Sequence, residues 1–148
     1  MSRLSESMKQ ELKQIQPSSI LKFNQEISKV PDMVKLTLGE PDFNTPDHVK
    51  QAAIHSIENN ESHYTNSRGI DGLRKAASKF LSDKYNVHYD PETQILITTG
   101  ATEGIFSSLT AMLNPGDSVI IPTPIFPIYI PDTMLNGAKP FRNQNIPS

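Results

Sequence analysis

Gln94-Ile95-Leu96-Ile97-Thr98-Thr99-Gly100-Ala101-Thr102-Glu103-Gly104-Ile105-Phe106 is the stretch on which the fold turns. Its first half is apolar and β-branched, which favours a short buried strand over Ile95–Thr99. Gly100 and Ala101 carry so little side chain that another group can approach the backbone closely. The residues after this small-residue turn read as the first turns of a helix. The first N–H groups of a helix lack partners and lie at its positive end, which suits a phosphate, and Thr102 adds a hydroxyl. Two readings stay open on this stretch alone: a phosphate cradle, or a plain tight connection from strand to helix.

Downstream, Ile105, Leu109 and Met112 continue the helical spacing until Asn114-Pro115-Gly116-Asp117, a stop and turn. Ser118–Pro122 is a second short apolar strand. Pro122, Pro124 and Pro127 then stiffen a loop that holds Phe126. A helix to about Asn136 comes next, ended by Gly137, and Lys139-Pro140-Phe141-Arg142 opens a third strand. Strand, helix, strand, helix, strand implies a parallel sheet with packed helices, an α/β fold.

Upstream, Leu4, Met8, Leu12 and Ile15 sit at helical spacing and predict a helical arm. Ser18 or Ser19 caps a second helix to about Ser28. Val34–Leu38 alternates apolar and polar residues and reads as a short strand or extended segment, broken by Gly39-Glu40-Pro41-Asp42-Phe43. Thr45 as N-cap and Pro46 at the first helical position start a helix to about Asn59, with Val49, Ala53 and Ile57 expected on its buried face. Tyr64 lies in a polar loop, where an ordinary surface tyrosine is the bland reading. A helix over Asp71–Tyr85 carries Leu73, Ala77, Phe80 and Lys84 in register.

The 148 residues suffice for one domain with a core. A net charge of -2 with mixed signs gives no sign of a nucleic-acid partner. The absence of cysteine excludes disulfides and thiolate chemistry. His48, His55, His63 and His88 are scattered, so no metal site is expected. There is no signal-peptide core and no apolar run near the roughly 18 residues of a membrane span. A soluble cytoplasmic protein is the expectation.

Four motifs in order carry a family resemblance. They are Leu38-Gly39-Glu40-Pro41-Asp42-Phe43 with Thr45-Pro46; Tyr64-Thr65 with Gly69-Ile70-Asp71-Gly72-Leu73-Arg74; Ile97-Thr98-Thr99-Gly100-Ala101-Thr102-Glu103-Gly104-Ile105; and Asn114-Pro115-Gly116-Asp117 with the Pro122–Tyr129 loop. From about residue 18 to residue 140 the chain resembles the N-terminal part of a class I/II aminotransferase, a pyridoxal-phosphate enzyme. More narrowly it is similar to the branch of aromatic-amino-acid and N-acetyl-diaminopimelate aminotransferases. The resemblance implies an N-terminal helical arm and small-domain segment over residues 1–45. Residues 46–148 would then be an incomplete large domain of the pyridoxal-phosphate-dependent transferase fold.

The resemblance also implies roles. Gly100, Ala101 and Thr102 would hold the cofactor phosphate. Phe126 would stack on the pyridine ring. Tyr64 would reach across a homodimer interface to the partner's cofactor phosphate, and Gly39 would offer its N–H to the substrate carboxylate. Substrates would be an amino acid and a 2-oxo acid. The lysine that bonds to the cofactor has no counterpart: Lys79, in Ala77-Ser78-Lys79-Phe80, reads as a solvated helix-face residue, and no catalytic residue is assigned. The chain is therefore expected to be a truncated fragment, inactive alone, with the Ile95–Thr99 strand left as an unpaired edge. A C–S lyase or synthase relative, and a non-catalytic interaction module, are the alternatives.

Overall fold

The computed structural model describes residues 6–15 and 19–143. The expected arm helix from Leu4, and capping by Ser18, begin outside them. Within them the arm forms a 3₁₀ turn over Gln10–Lys13, and the next helix, α1, spans Ser19–Ile27. The later helices are α2 (Asp47–Glu58), α3 (Asp71–Tyr85), α4 (Gly100–Met112) and α5 (Tyr129–Leu135). The strands are β1 (Ser118–Pro122) and β2 (Lys139–Asn143). The chain divides into two compact units, Met1–Leu38 with Thr99–Ser148, and Gly39–Thr98.

In the first unit, β1 and β2 pair in parallel, Ser118 opposite Lys139 and Ile120 opposite Phe141, with α5 as the crossover. Ile121 and Ala138 are the buried apolar side chains among the described residues. Ile120 and Phe141, paired on the other face, are exposed. Both α5 and its exit follow from local chemistry. Pro131 sits in the first turn, where its missing N–H leaves no helical bond unmade. At the end Gly137 adopts φ 74°, its N–H donates to Met134 O at 2.9 Å, and the Ala138 N–H donates to Thr133 O at 3.1 Å. This pair of bonds is the Schellman cap. Lys9 Nζ donates to Leu135 O at 3.0 Å, placing a cation at the negative end of α5. The strand over Ser118–Pro122, the Gly137 stop and the third strand are as expected.

In the second unit α3 spans Asp71–Tyr85 as expected, ended by Asn86 in the left-handed region at φ 53°. Its buried side differs from the predicted register. Arg74 is 1% exposed and begins a stripe continued by half-buried Ala77, Ser78, Leu81 and Ser82, whereas Leu73 and Phe80 are exposed. The stripe is set by polar partners that apolar periodicity does not weigh.

Three further expectations meet the structure. Val34–Leu38, read as a short strand or an extended segment, joins no ladder among the described residues, which leaves the extended segment; Thr37 Oγ1 is tied to Asn24 Oδ1 at 2.6 Å, and Leu36 is 91% exposed. Ile95–Thr99 likewise has no ladder partner among the described residues, as expected of an unpaired strand, but Leu96 is exposed where burial was expected; Ile97 N–H donates to Arg68 O at 3.0 Å. Alternation and β-branching show which residues suit a sheet, not whether a neighbouring strand exists. Third, Pro46 rather than Thr45 is the N-cap of α2. Val49 and Ile57 of that helix are exposed, because no described residue covers their face.

Candidate functional site

The turn into α4 is built from the residues on which the sequence reading rests. Thr99 is the N-cap, and its side chain makes no capping bond. Its N–H donates instead to a carboxylate oxygen of Glu103, one turn on. Gly100 comes next at φ 82°, a left-handed conformation that L side chains rarely adopt. A Cβ built on Gly100 would meet no atom within 4 Å, so the space before the turn is open. Ala101 and Thr102 are exposed in the first turn of a 13-residue helix. Their N–H groups have no carbonyl one turn back within the helix and lie at its positive end. The turn is chemically suited to an anion with several oxygens.

Phe126 belongs to the same unit, on the loop from β1 to α5, and is exposed. That loop contains the cis bond Thr123–Pro124. An open, mainly apolar cleft of about 310 Å³ runs from the turn along α4, lined by Ala101, Gly104, Ile105, Ser108, Leu109 and Tyr129. Phe126 is not among its walls. Gly104 and Ala101 keep the helix side of the cleft low, and Tyr129 closes it from α5.

Gly39 and Tyr64 lie in the second unit. The Tyr64 side chain is as exposed as an isolated tyrosine, at 108%. Gly39 is exposed too, with no atom within 4 Å of a built Cβ. Gly100, Ala101 and Thr102 therefore stand together on one turn, with Phe126 in their unit and Tyr64 and Gly39 in the other. Lys79 is exposed and ion-paired with Asp83 at 2.7 Å, in line with a helix-face lysine.

Sequence reasoning missed the polar cluster that fixes the loop after Tyr64. Arg74 Nε donates to Gly69 O at 3.3 Å, and its Nη groups reach Pro91 O, Glu92 Oε2 and Asp71 Oδ1. Burial works against this guanidinium's charge, but the hydrogen bond to Asp71 and the charges of Glu92 and Asp71 hold its pKa above the ordinary value. Arg68 donates to Glu92 O, and its own N–H is taken by Asn66 Oδ1 at 2.9 Å. Asp90 closes the next turn, accepting from Thr93 Oγ1 at 2.6 Å and from Glu92 N–H at 3.0 Å. Those two donors, with Arg68 and Arg74 nearby, hold its carboxyl below the ordinary range. Gly69, at φ 97°, lies against Ile97: a Cβ there would be 2.6 Å from Ile97 Cβ. The visible signal was Asp71 three residues before Arg74; the backbone carbonyl partners leave no trace in a sequence.

A second missed group is Asp132 in α5. It is buried, Oδ2 has no partner among the described residues, and burial pushes its carboxyl above the ordinary value. Thr133 beside it is fully buried and donates from Oγ1 to Tyr129 O at 2.7 Å.

Residues 31–146 match the family model of aminotransferase class I and II. The chain belongs to that family. It is 43% identical over 128 residues to a probable N-acetyl-LL-diaminopimelate aminotransferase of Bacillus subtilis, covering 86% of this chain and 33% of the relative. An aspartate aminotransferase of Pyrococcus abyssi is 35% identical over 134 residues, covering 90% and 34%. Among solved structures, N-succinyldiaminopimelate aminotransferase from Mycobacterium tuberculosis superimposes with a TM-score of 0.88 at 27% identity, covering 96% of this chain and 37% of that one. The chain spans about a third of the length of the curated relatives it matches. The fold is accordingly a partial α/β unit of the aminotransferase type, with a small parallel sheet and flanking helices.

Proposed function

We propose that this chain is the phosphate-binding portion of a pyridoxal-phosphate-dependent enzyme that moves an amino group between an amino acid and a 2-oxo acid. The observation that carries the reading is the Thr99–Thr102 turn, open above Gly100, inside a chain whose family is aminotransferase. Pyridoxal phosphate, when bound, would supply the carbonyl that takes up the amino group and a ring that draws electrons away from the substrate Cα. In this chain the N–H groups of Ala101 and Thr102, and the Thr102 hydroxyl, hold the phosphate, and Gly100 allows its close approach. Phe126 offers a ring face for stacking, worth about 0.5–1.5 kcal/mol beyond area burial. Tyr64 serves the cofactor phosphate of a partner subunit in a homodimer, which its exposure leaves it free to do. Gly39 gives its N–H to the substrate carboxylate.

The division at residue 45 belongs to the same proposal, with an arm and small-domain segment before it and the cofactor domain from residue 46. So does a cytoplasmic location. Among the described residues no helix is long and apolar enough to cross a membrane. No lysine of this chain is assigned the bond to the cofactor; Lys79 is exposed on the face of α3 and paired with Asp83. The 148-residue chain alone is therefore inactive. The test has two arms. Pyridoxal phosphate binds the purified chain weakly and is displaced by inorganic phosphate, and amino transfer from aspartate or glutamate to a 2-oxo acid stays at background. Turnover by the purified chain contradicts the second statement; binding that phosphate does not compete contradicts the first.

A further inference from the structure

We propose that Asn136–Gly137 is a succinimide-forming modification site, held closed by the C-terminal cap of α5. In an Asn-Gly pair the attacking backbone nitrogen is minimally hindered, because glycine brings no Cβ beside it. The Gly137 nitrogen gives its proton to solvent base and bonds to the Asn136 side-chain carbon Cγ. The Cγ–Nδ2 bond breaks, and ammonia leaves as Nδ2 takes a proton from solvent. One water then opens the five-membered imide at either carbonyl, leaving aspartate or isoaspartate at position 136.

The cap engages each reacting group. The Gly137 N–H donates to Met134 O at 2.9 Å. The Asn136 Nδ2 donates to Asp132 O at 2.8 Å, and Asn136 is half-buried. Ring closure needs Cβ and the Gly137 nitrogen eclipsed about the Asn136 Cα–C bond, and a ψ of 6° leaves them far from eclipsed. The other side of Gly137 is held as well, because the Gly116 N–H donates to Gly137 O at 2.9 Å.

Glycine cannot easily be exchanged for a safer residue here. Its φ of 74° is left-handed, and a Cβ would stand 3.2 Å from Pro115 Cβ. The residue that makes the sequence labile is thus the one the cap requires. Conversion also damages the cap. An aspartate at 136 loses the side-chain donor to Asp132 O and keeps only the backbone N–H, which donates at 3.3 Å, and it places a negative charge at the negative end of α5, one turn from the buried Asp132 carboxyl.

The experiment tracks residue 136 of the full chain by peptide mapping with mass detection at mildly alkaline pH. Three samples are compared: native chain, chain in urea, and a synthetic peptide spanning residues 130–142. Amide exchange at Gly137 and Ala138 in the native sample reports the cap. The expected result is slow exchange at both amides with conversion at least about tenfold slower in the native chain than in urea or in the peptide. Equal conversion rates in native and denatured chain overturn the proposal, and so does a peptide that does not convert.

Discussion

The two units of this chain are held by different physics. Around β1, α5 and β2 a small apolar layer is closed by local backbone bonds, with Ile121 at its centre and Gly137 at its exit. Over Gly39–Thr98 the buried centre is a cation, Arg74, tied to carbonyls and carboxylates drawn from positions 69 to 92. The first arrangement is written in periodicity and turn residues. The second is written in partners distant in sequence.

Substitutions should separate the two. The largest loss is expected from Gly69→Ala in the second unit. The left-handed backbone costs about 1–2 kcal/mol for a residue with a Cβ. Overpacking against Ile97 adds a further term of about 1–3 kcal/mol. Urea denaturation monitored by residue-resolved amide signals should show α3 and the 90–94 turn weakened. If the signals of β1 and β2 fall first, the polar cluster is not what holds the second unit. A smaller loss, about 0.5–1.5 kcal/mol, is expected for Ile121→Val, which removes one buried methylene from the first unit. An equal effect on the two units would show that they do not stand apart.

Acid gives the subtlest contrast, because the two aspartates carry opposite signs. Asp90 has a folded pKa below its ordinary 3.8. Its contribution is present above that value and is lost as pH falls through the lower folded value. Asp132 has a folded pKa above 3.8. Its burial costs nothing below 3.8, and the cost is complete once pH has risen through the folded value. Denaturation midpoints measured from neutral to acid pH should therefore fall in the second unit, with Asp132 opposing any fall in the first. Asp132→Asn should raise the first unit's midpoint at neutral pH and remove its share of the pH slope. A neutral midpoint lowered by that change would mean that the carboxylate has a partner in the folded chain.

The same contrast explains what was legible in the sequence. Ser118–Pro122, the Gly137 stop and the strand after it were readable because each depends on neighbours in sequence: an apolar run, a left-handed glycine, a proline turn. The turn at Gly100 was readable for the same reason, and only its place among four ordered motifs turned a tight connection into a proposed cofactor cradle. Arg74 was hidden inside an apparently apolar helix face, since its main acceptors are carbonyls of Gly69 and Pro91. Asp132 was hidden because a lone acidic residue in a seven-residue helix is ordinarily solvated. Val34–Leu38 and Ile95–Thr99 show the limit of the same signals: strand-like composition tells nothing of a neighbour, and neither stretch has a described one to pair with, which for Ile95–Thr99 was the expectation.

The central proposal is that the start of α4 holds the phosphate of the cofactor. Amide signals of the full 148-residue chain, titrated first with inorganic phosphate and then with pyridoxal phosphate, test it most directly. Both ligands should shift Gly100, Ala101 and Thr102, pyridoxal phosphate alone should also perturb the Phe126 ring, and the Arg74 cluster should not respond. Shifts centred on Arg68 and Arg74, or none at Ala101 and Thr102, would contradict the account.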